Sequence, residues 1–201
     1  MITDLQFLVI SLITGVLHLD TLVFGQFMIH RPIVVGPLIG VLIGVPQYGV
    51  LIGCILELVY LSLIPVGIKI PPDTTTTTVC SIIIYKLTNG WIVFSLIVGI
   101  ILGVIYKYID LFTRSLNSMV INWVDNAKDD VVIKRINLLV VYGIVSTYLK
   151  SVMFYLLIFP IINFVIRSIY KIGLPTIVSF ELVYILPAIG IGIGLAHFVE
   201  K

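Results

Sequence analysis

The sequence predicts an all-α integral membrane protein with about five to seven transmembrane or re-entrant helices, built as a single domain over residues 1–201. Composition is the first reason: 60% of the residues are hydrophobic and 11% are charged, whereas a soluble domain carries about 25% charged residues. Length is the second, because spans of roughly 20 apolar residues leave no room for a soluble catalytic domain. The third is a Pro-Pro-Asp break inside apolar sequence, since irregular backbone survives at membrane depth only against protein or a wet cavity.

The first predicted span covers residues 5–29 and is interrupted by His18, Asp20 and Gln26. No small-residue cleavage site follows a short apolar segment, and hydrophobic segments continue toward the C-terminus, so we expect no secretory signal peptide. His18 and Asp20 are two positions apart and face different sides of a helix, which argues against a shared metal site. Residues 30–32, His-Arg-Pro, predict the next helix start, because proline suits the first helical position.

Residues 33–64 are rich in glycine and predict two closely packed spans. Three of the glycines recur at every fourth position: Gly36, Gly40 and Gly44. This spacing lets the backbones of membrane helices approach closely. Residues 46–49, Pro-Gln-Tyr-Gly, predict a turn, and the short span that follows over residues 50–64 carries Glu57.

Residues 65–78 predict the broken segment, because two prolines precede Asp73 and five threonines follow it. We expect this backbone to be non-helical and to contact something polar inside the membrane. Residues 79–87 are too few to cross a core of about 30 Å as a helix. They therefore predict a half-helix that returns from a re-entrant turn.

The second half of the chain predicts further spans around one polar stretch. Residues 91–106 predict a span with an aromatic residue at each end. Residues 107–137 predict an interfacial amphipathic helix and an aqueous loop, which their basic residues place in the cytoplasm. In the apolar stretch over residues 138–166 we expect Lys150 to snorkel near a helix end rather than to mark a bend. Residues 175–198 predict the last span.

Glu57 is the first candidate for function, since it is the single acid between residues 33 and 64. A carboxylate in hydrocarbon costs several kcal/mol and is rarely there without a role or a partner. As a functional residue, Glu57 would bind sugar hydroxyls, a cation or a proton. As a structural residue, it would form a buried pair with Arg31.

Asp73 is the second candidate. The prolines before it fix φ and lack N–H donors, which leaves carbonyl groups free to face a ligand. The Asp73 carboxylate would then supply strong acceptors for hydroxyl donors. It could also cap a half-helix that begins near Thr77, and the two roles are compatible.

Three basic residues are weaker candidates. Lys69 could pair with a nearby carboxylate or reach the interface, while His30 and Arg31 could contact a phosphate, close a salt bridge or anchor the chain beside the membrane. The sequence has no Ser/His/Asp set, phosphate loop or zinc-spaced cluster, so we expect no catalytic residues, no metal and no cofactor. Cys54 and Cys80 are interpreted as core residues. No basic cluster indicates nucleic acid as a partner.

Taken together, these motifs resemble the IIC component of the mannose/sorbose family of bacterial sugar phosphotransferase systems. The resemblance lies in a progression at similar spacing: His30-Arg31-Pro32, Gly36-Pro37-Leu38-Ile39-Gly40, Gly53-Cys54-Ile55-Leu56-Glu57-Leu58, Pro65-Val66-Gly67 and Pro71-Pro72-Asp73. It covers residues 5–105 well and continues weakly through Asp125-Asn126-Ala127-Lys128. The family usually continues further, so we expect this chain to be a member shortened at its C-terminus.

The resemblance implies a permease subunit that carries a hexose-type sugar across the bacterial inner membrane. Its partners would be the sugar, the lipid bilayer, a IID membrane subunit, and IIA and IIB subunits that carry out phosphoryl transfer, so the chain itself is not an enzyme. The glycine stripes also predict an oligomeric assembly. Carried over to this chain, the substrate site would be formed by seven residues: Glu57, Asp73, Pro72, Gly67, Lys69, His30 and Arg31.

Two other functions fit part of the sequence. A substrate-capturing membrane subunit of an energy-coupling importer would have a similar length, but the Pro-Pro-Asp break and Glu57 favour the sugar permease. A non-transporting scaffold with the same fold would tolerate changes at Glu57 and Asp73. An intramembrane enzyme is least favoured, because no nucleophile–base pair is visible.

Overall fold

Helices account for all the regular secondary structure in the computed structural model, which describes residues 2–22, 25–61, 71–119, 129–172 and 182–199. There are seven in these ranges: α1 Asp4–Leu22, α2 Pro32–Leu42, α3 Pro46–Tyr60, α4 Thr74–Leu87, α5 Ile92–Met119, α6 Asp129–Ile172 and α7 Leu182–Val199. The all-α prediction is confirmed.

The helices fall into two length classes. Three contain apolar segments long enough to cross a membrane, at Asp4–Thr21, Ile92–Leu116 and Val132–Ser168. Shorter apolar helices are Pro32–Leu42, Pro46–Tyr60 and Ile185–Ala196. This mixture of full and partial spans is the architecture expected of a membrane protein whose apolar sequence is broken by prolines.

The turn between α2 and α3 lies at residues 43–45, so the predicted turn at residues 46–49 is wrong. Gly44 has a φ of +75°, a conformation that glycine adopts without steric cost. Pro46 stands at the start of α3 instead, because its missing N–H is not needed in the first helical turn. Pro32 starts α2 in the same way, as predicted.

Glycines hold α2 and α3 against each other. A Cβ added to Gly40 would lie 2.9 Å from the Cα of Gly49, and one added to Gly53 would lie 3.2 Å from the Cα of Gly36. The first distance is shorter than real side chains adopt and the second is tighter than most real contacts, so the backbones touch directly, as in other small-residue membrane interfaces. Gly44, the third member of the predicted stripe, belongs to the turn and faces open space.

α4 is the buried centre of the fold and differs most from the prediction. It begins at Thr74, so the five threonines are helical and the segment is not a half-helix from residue 79. Every residue from Thr75 to Tyr85 is buried. Two of the threonine hydroxyls bond to the previous turn: Thr77 donates to the carbonyl of Asp73 and Thr78 to that of Thr74, both at 2.8 Å. Thr75 and Thr76 instead bond to other elements, at the carbonyl of His30 and the hydroxyl of Tyr155. These hydrogen bonds let a polar, β-branched run remain helical inside a core.

α5 and α6 are longer than predicted. α5 continues to Met119 and α6 begins at Asp129, so residues 107–119 and 129–137 of the predicted interfacial helix and aqueous loop belong to these two long helices; residues 120–128 lie outside the described ranges. Lys150 does not snorkel at a helix end. It lies within α6, and its ammonium group hydrogen-bonds the carboxylate of Asp110 on α5. A charge that finds a buried partner does not need to interrupt a helix.

Packing joins the helices into one layered body. α1 packs mainly on α6, α2 on α3, and α4 on α5, while α7 rests on α3. A continuous apolar core runs from Ile2 through α1–α6. The start of the predicted last span lies outside the described ranges, and the described α7 carries Pro187. The N-terminal end of α4 consequently lies where α1, α2, α3, α5 and α6 converge.

Candidate functional site

Asp73 opens the site at the N-terminal end of α4. It has extended backbone, and its carboxylate accepts a hydrogen bond from the Thr76 N–H at 2.6 Å. Its own N–H donates to the carbonyl of Gly103 on α5 at 3.2 Å. Gly103 permits this approach, because a Cβ there would lie 2.8 Å from the Asp73 oxygen. Asp73 is therefore a helix cap, as one prediction held, although the helix begins at Thr74 rather than near Thr77.

His18, from α1, holds the other side of the Asp73 carboxylate. Its Nε2 lies 3.1 Å from Oδ2 of Asp73, and its Nδ1 lies 2.8 Å from the carbonyl oxygen of Thr14. The ring packs against Tyr106 and Tyr155, at centroid distances of 4.7 and 5.9 Å. The His18 side chain is 5% exposed and that of Asp73 is 17% exposed. The carboxylate thus reaches the cavity while its partner stays in the core.

Asp20 fixes the loop that leads into α2. Its carboxylate accepts hydrogen bonds from the N–H groups of Phe27, Ile29 and His30, at 2.6, 2.8 and 3.3 Å. It also lies 2.8 Å from Nδ1 of His30. Two loop residues, Gln26 and Met28, have positive φ, a conformation uncommon outside glycine. One buried carboxylate therefore sets the position of His30 and of the adjoining arginine.

Glu57 and Arg31 form an ion pair between α3 and the start of α2. Nη2 of Arg31 lies 2.5 Å from Oε1 of Glu57, and the Ile33 N–H lies 3.4 Å from Oε2. The Glu57 side chain is 16% exposed and that of Arg31 is 43% exposed. The structural alternative for Glu57, a pair with Arg31, is thus present. It leaves the functional alternative open, because both side chains line the same cavity.

A second ionic cluster lies on α5 and α6. Asp110 accepts from Nε of Arg114 at 2.7 Å and from the ammonium group of Lys150. Lys150 also lies 3.3 Å from the hydroxyl of Thr113. One turn earlier, the hydroxyls of Tyr106 and Ser151 are 2.6 Å apart. Polar side chains therefore bridge α5 to α6 along one wall of the site.

These groups surround a cavity of about 580 Å³. Its lining residues are His18, Thr21, Gln26, Met28, His30, Arg31, Pro32, Glu57, Tyr60, Pro71, Pro72, Asp73, Thr74, Tyr106, Lys107, Asp110, Arg114 and Thr147. They come from α1, the loop after it, α2, α3, α5, α6 and the residues that begin α4. The volume is in the range of small-molecule sites in proteins.

The structure brings five of the seven predicted site residues together on this cavity: Glu57, Asp73, Pro72, His30 and Arg31. The other two, Gly67 and Lys69, lie outside the described residues. Residues 30–31, 57 and 72–73 are far apart in sequence, and the packing of α4 against α2 and α3 joins them. Whether these residues bind a substrate stays a prediction.

Sequence reasoning missed several residues that the cavity gathers, above all His18, Asp110 and the tyrosines Tyr60 and Tyr106. A signal existed for His18, since an ionisable side chain inside an apolar span is a functional candidate by its cost alone. The spacing of His18 and Asp20 places them on different sides of α1, which argues against a shared metal site but does not identify partners on other elements. The structure shows that each faces a different partner, Asp73 and the loop before α2.

The lining suits a neutral ligand that is rich in hydroxyl groups. Among the described lining residues, three carboxylates face three lysine and arginine side chains: Glu57, Asp73 and Asp110 against Arg31, Lys107 and Arg114. These six formal charges sum to zero, and the two histidines of the lining, His18 and His30, each lie against a carboxylate, so the cavity is not dominated by charge of one sign. It does offer acceptors and donors at short spacing, together with tyrosine rings, which is what a polyol requires.

The sequence was compared with known protein families and with curated proteins. The family profile described as the PTS system sorbose-specific IIC component matches residues 5–201. The chain is 29% identical over 118 residues to the fructose permease IIC component of Bacillus subtilis (strain 168), covering 59% of this chain and 42% of that protein. It is 24% identical over 138 residues to the sorbose-specific EIIC component of Klebsiella pneumoniae, covering 69% and 52%. The chain thus spans about half the length of these curated relatives.

Two solved structures share the fold. The first, described as a membrane protein, superposes with a TM-score of 0.73 at 19% identity and covers 99% of this chain and 78% of that one. The second is the cryoEM structure of the mannose transporter ManYZ in complex with microcin E492, with a TM-score of 0.68 at 19% identity. It covers 99% of this chain and 79% of that one.

Proposed function

The chain belongs to the family of PTS system sorbose-specific IIC components, integral membrane proteins with several spanning helices, and from this we propose that it moves a hexose-type sugar across the bacterial inner membrane. The observation that carries the proposal is the cavity at the N-terminal end of α4. There three motifs of the family resemblance contribute lining residues, although they are scattered in sequence: His30-Arg31-Pro32, the motif that carries Glu57, and Pro71-Pro72-Asp73.

The substrate class follows from the chemistry of this cavity. A hexose presents neutral hydroxyl groups that both donate and accept hydrogen bonds. Asp73 and Glu57 supply charged acceptors, which form stronger hydrogen bonds than neutral groups do. His30 and Arg31 supply donors beside them, held in place by Asp20 and Glu57. We assign these four residues, with Pro72, to the sugar site; Gly67 and Lys69 remain proposed members.

The relatives narrow the sugars to be tested. Their names refer to fructose, sorbose, N-acetylgalactosamine and mannose. These sugars differ in the position of the anomeric carbon and in the configuration or substituent at individual carbons, and discrimination between them depends on individual hydrogen bonds. Mannose, fructose, sorbose and N-acetylgalactosamine therefore form the panel of choice.

The partners proposed for the chain are a IID membrane subunit and the IIA and IIB subunits that deliver the phosphoryl group. One of the similar structures is described as a transporter complex, ManYZ, which supports assembly with a second membrane subunit. The exposed apolar side chains of α6, such as Ile133, Leu157 and Phe164, offer surface for lipid and for such a subunit. We expect phosphoryl transfer to be carried out by the partners and transport by the assembly.

Uptake of the radiolabelled sugar panel tests the proposal. Cells lacking their own carrier would express the chain with IID-like, IIA-like and IIB-like partners, as wild type, Glu57→Gln and Asp73→Asn. We expect wild-type uptake of at least one sugar and a loss of tenfold or more, roughly the effect of one charge-assisted hydrogen bond, in each variant. Tyr142→Phe, on the exposed side of α6, is the matched control and should retain uptake.

Two results would contradict the proposal. If no sugar of the panel enters although the chain is in the membrane with its partner, the non-transporting scaffold becomes the better interpretation. If uptake is intact in both variants, the chain transports but the site lies elsewhere. The family match gives no support to the alternative of an energy-coupling importer.

A further inference from the structure

We infer that His18 is a positioning residue: as an imidazolium, with both ring nitrogens protonated, it holds the Asp73 carboxylate at the edge of the cavity. The assignment of Asp73 to the sugar site rests on the proposed function. The protonation state of His18 rests on the geometry of the buried cluster alone. It was not among the predicted site residues, and its partner lies 55 positions away in sequence.

The first step concerns Nδ1 of His18. This nitrogen lies 2.8 Å from the carbonyl oxygen of Thr14, one turn earlier in α1. A carbonyl oxygen can only accept a hydrogen bond, so Nδ1 carries a hydrogen. A neutral imidazole has one N–H, and this contact already uses it. In a neutral ring, Nε2 would therefore be an acceptor.

The second step concerns what Nε2 faces. It lies 3.1 Å from Oδ2 of Asp73, and a carboxylate oxygen also only accepts; the Thr76 hydroxyl oxygen is farther from Nε2, at 3.4 Å, and also contacts the hydroxyl of Tyr155. Two acceptors at this distance repel each other, and burial strengthens the repulsion. A proton must therefore lie between them, either on Nε2 or on the carboxyl group.

The third step decides which group carries the proton. Oδ2 of Asp73 also accepts the Thr76 N–H at 2.6 Å, as a carboxylate does at a helix N-terminus. The positive end of the α4 dipole favours the ionised form in addition. The proton consequently belongs to His18, and the pair consists of an imidazolium and a carboxylate.

The residues around His18 and Asp73 are consistent with an ion pair in which the charge of each group neutralises that of the other. Four titratable groups that interact electrostatically with Asp73 are uncharged in their ordinary forms: Tyr60 on α3, Cys80 on α4, Tyr106 on α5 and Tyr155 on α6. Charged side chains that line the same cavity are Arg31 before α2, Glu57 on α3, and Lys107, Asp110 and Arg114 on α5. On α1 itself, the Asp20 carboxylate is hydrogen-bonded to residues of the loop before α2. Among the described residues, no other cation contacts Asp73, so His18 supplies the positive charge that a buried carboxylate requires.

Positioning is the consequence for the site. His18 and Thr76 both bind Oδ2, which leaves Oδ1 without a hydrogen bond among the described residues. Tyr155 fixes the hydroxyl of Thr76 at 2.9 Å, and the rings of Tyr106 and Tyr155 confine the imidazole. The carboxylate is thereby held in one orientation, with one oxygen available to a ligand, which lowers the entropy lost on binding.

Nitrogen NMR tests the protonation state directly. Full-length protein labelled with ¹⁵N-histidine, in lipid nanodiscs without sugar, gives signals from three histidines, assigned with His18→Gln, His30→Gln and His197→Gln. We expect both ring nitrogens of His18 to carry protons at neutral pH. In Asp73→Asn, where the compensating charge is gone, we expect a neutral ring protonated on Nδ1 alone. An unprotonated Nε2 in the wild type would overturn the inference.

Transport kinetics test the positioning role. In the complete transport system, His18→Gln retains a neutral N–H donor but removes the charge. We expect its apparent KM for the transported sugar to rise about tenfold while the maximal rate is largely kept. Ser11→Ala, another buried α1 residue, should leave both values unchanged. An unaltered KM in a folded His18→Gln protein would refute the positioning role. Absence of wild-type uptake would refute the proposed function, and the NMR result would still decide the state of His18.

Discussion

At the scale of single residues, the members of the ionic cluster on α5 and α6 have different numbers of oppositely charged partners. Asp110 has two cationic partners, Arg114 and Lys150, whereas Lys150 has one carboxylate among the described residues. The Lys150 and Asp110 side chains are 13% and 16% exposed, so water compensates little for a lost partner. Removing one member of such a pair costs more than the pair contributes as a whole.

Because Asp110 has two cationic partners and Lys150 has one carboxylate among the described residues, replacing Asp110 should destabilise the protein more than replacing Lys150. Asp110→Asn leaves the ammonium of Lys150 without a carboxylate and should destabilise the protein by about 2 kcal/mol or more. Lys150→Met removes the buried ammonium, while Arg114 still neutralises Asp110, so its cost should be smaller. Thermal unfolding in one detergent compares the two, with Arg114→Gln as the exposed control. Equal losses for Asp110→Asn and Lys150→Met would show that Arg114 contributes nothing to the balance.

The sequence predicted some of the residues that line the cavity and missed others. The sequence predicted five residues that line the cavity. The cost of intramembrane charge identified the carboxylates Glu57 and Asp73, and the family resemblance added Pro72, His30 and Arg31. His18 escaped because its partner, Asp73, comes from another helix, and a one-dimensional pattern does not contain that contact. Asp110 was not predicted as a site residue because the sequence pattern indicates an interfacial helix at residues 107–137, whereas the structure places Asp110 within α5.

At the scale of elements, α2 and α3 behave as a single unit because glycine faces glycine. Gly36 and Gly40 on α2 meet Gly49 and Gly53 on α3 with no side chain between them. The pair presents Arg31 at the start of one helix and Glu57 near the end of the other. The position of that ion pair therefore depends on a contact made by backbone alone.

Gly40→Ala should separate these helices. The added methyl would lie 2.9 Å from the Cα of Gly49 and 3.0 Å from the carbonyl oxygen of Val45, which rigid backbone cannot relieve. Overpacking of this kind costs about 1–3 kcal/mol. Gly143→Ala in α6 is the control, since nothing lies within 4 Å of its added Cβ, and alanine favours helix. A melting temperature that falls equally in both variants would argue against a specific contact.

Helix boundaries were the part of the fold that the sequence predicted least well. Proline correctly marked the start of α2, yet the same signal at Pro46 was taken for a turn. The sequence predicts irregular backbone for the threonines because they follow two prolines and Asp73. Inside α4 the hydroxyls of Thr77 and Thr78 bond to carbonyls of the previous turn, those of Thr75 and Thr76 bond to neighbouring elements, and burial decides the conformation. Tertiary packing overrides local preference there.

At the scale of the whole molecule, α4 is the element around which the others are arranged. It is short and polar for a membrane helix, and it is buried from Thr75 to Tyr85. Its stability must therefore come from the helices that cover it. Unfolding of this protein should expose α4 only when the whole bundle opens.

Cys80 provides a measure of that event. It is 0% exposed in the middle of α4, whereas Cys54 on α3 is partly exposed. A thiol-reactive fluorescent dye should label the Cys54→Ala protein only as it unfolds, with one cooperative transition. The Cys80→Ala protein should react through Cys54 while still folded. Rapid labelling of Cys80 below the melting temperature would show that α4 is exposed in local openings.

The pairing of α1 with α6 has a consequence for how the protein is made. All of α2 to α5 leaves the ribosome between these two helices, so α1 enters the membrane long before its main packing partner exists. Until the residues that begin α4 are made, His18 has no Asp73 beside it, and until α6 is made it lacks the ring of Tyr155, so a polar side chain must wait in lipid or against the insertion machinery. Completion of the bundle therefore depends on the late arrival of α6, and a synthesis stalled after α5 would leave α1 as the segment most readily recognised by membrane quality control.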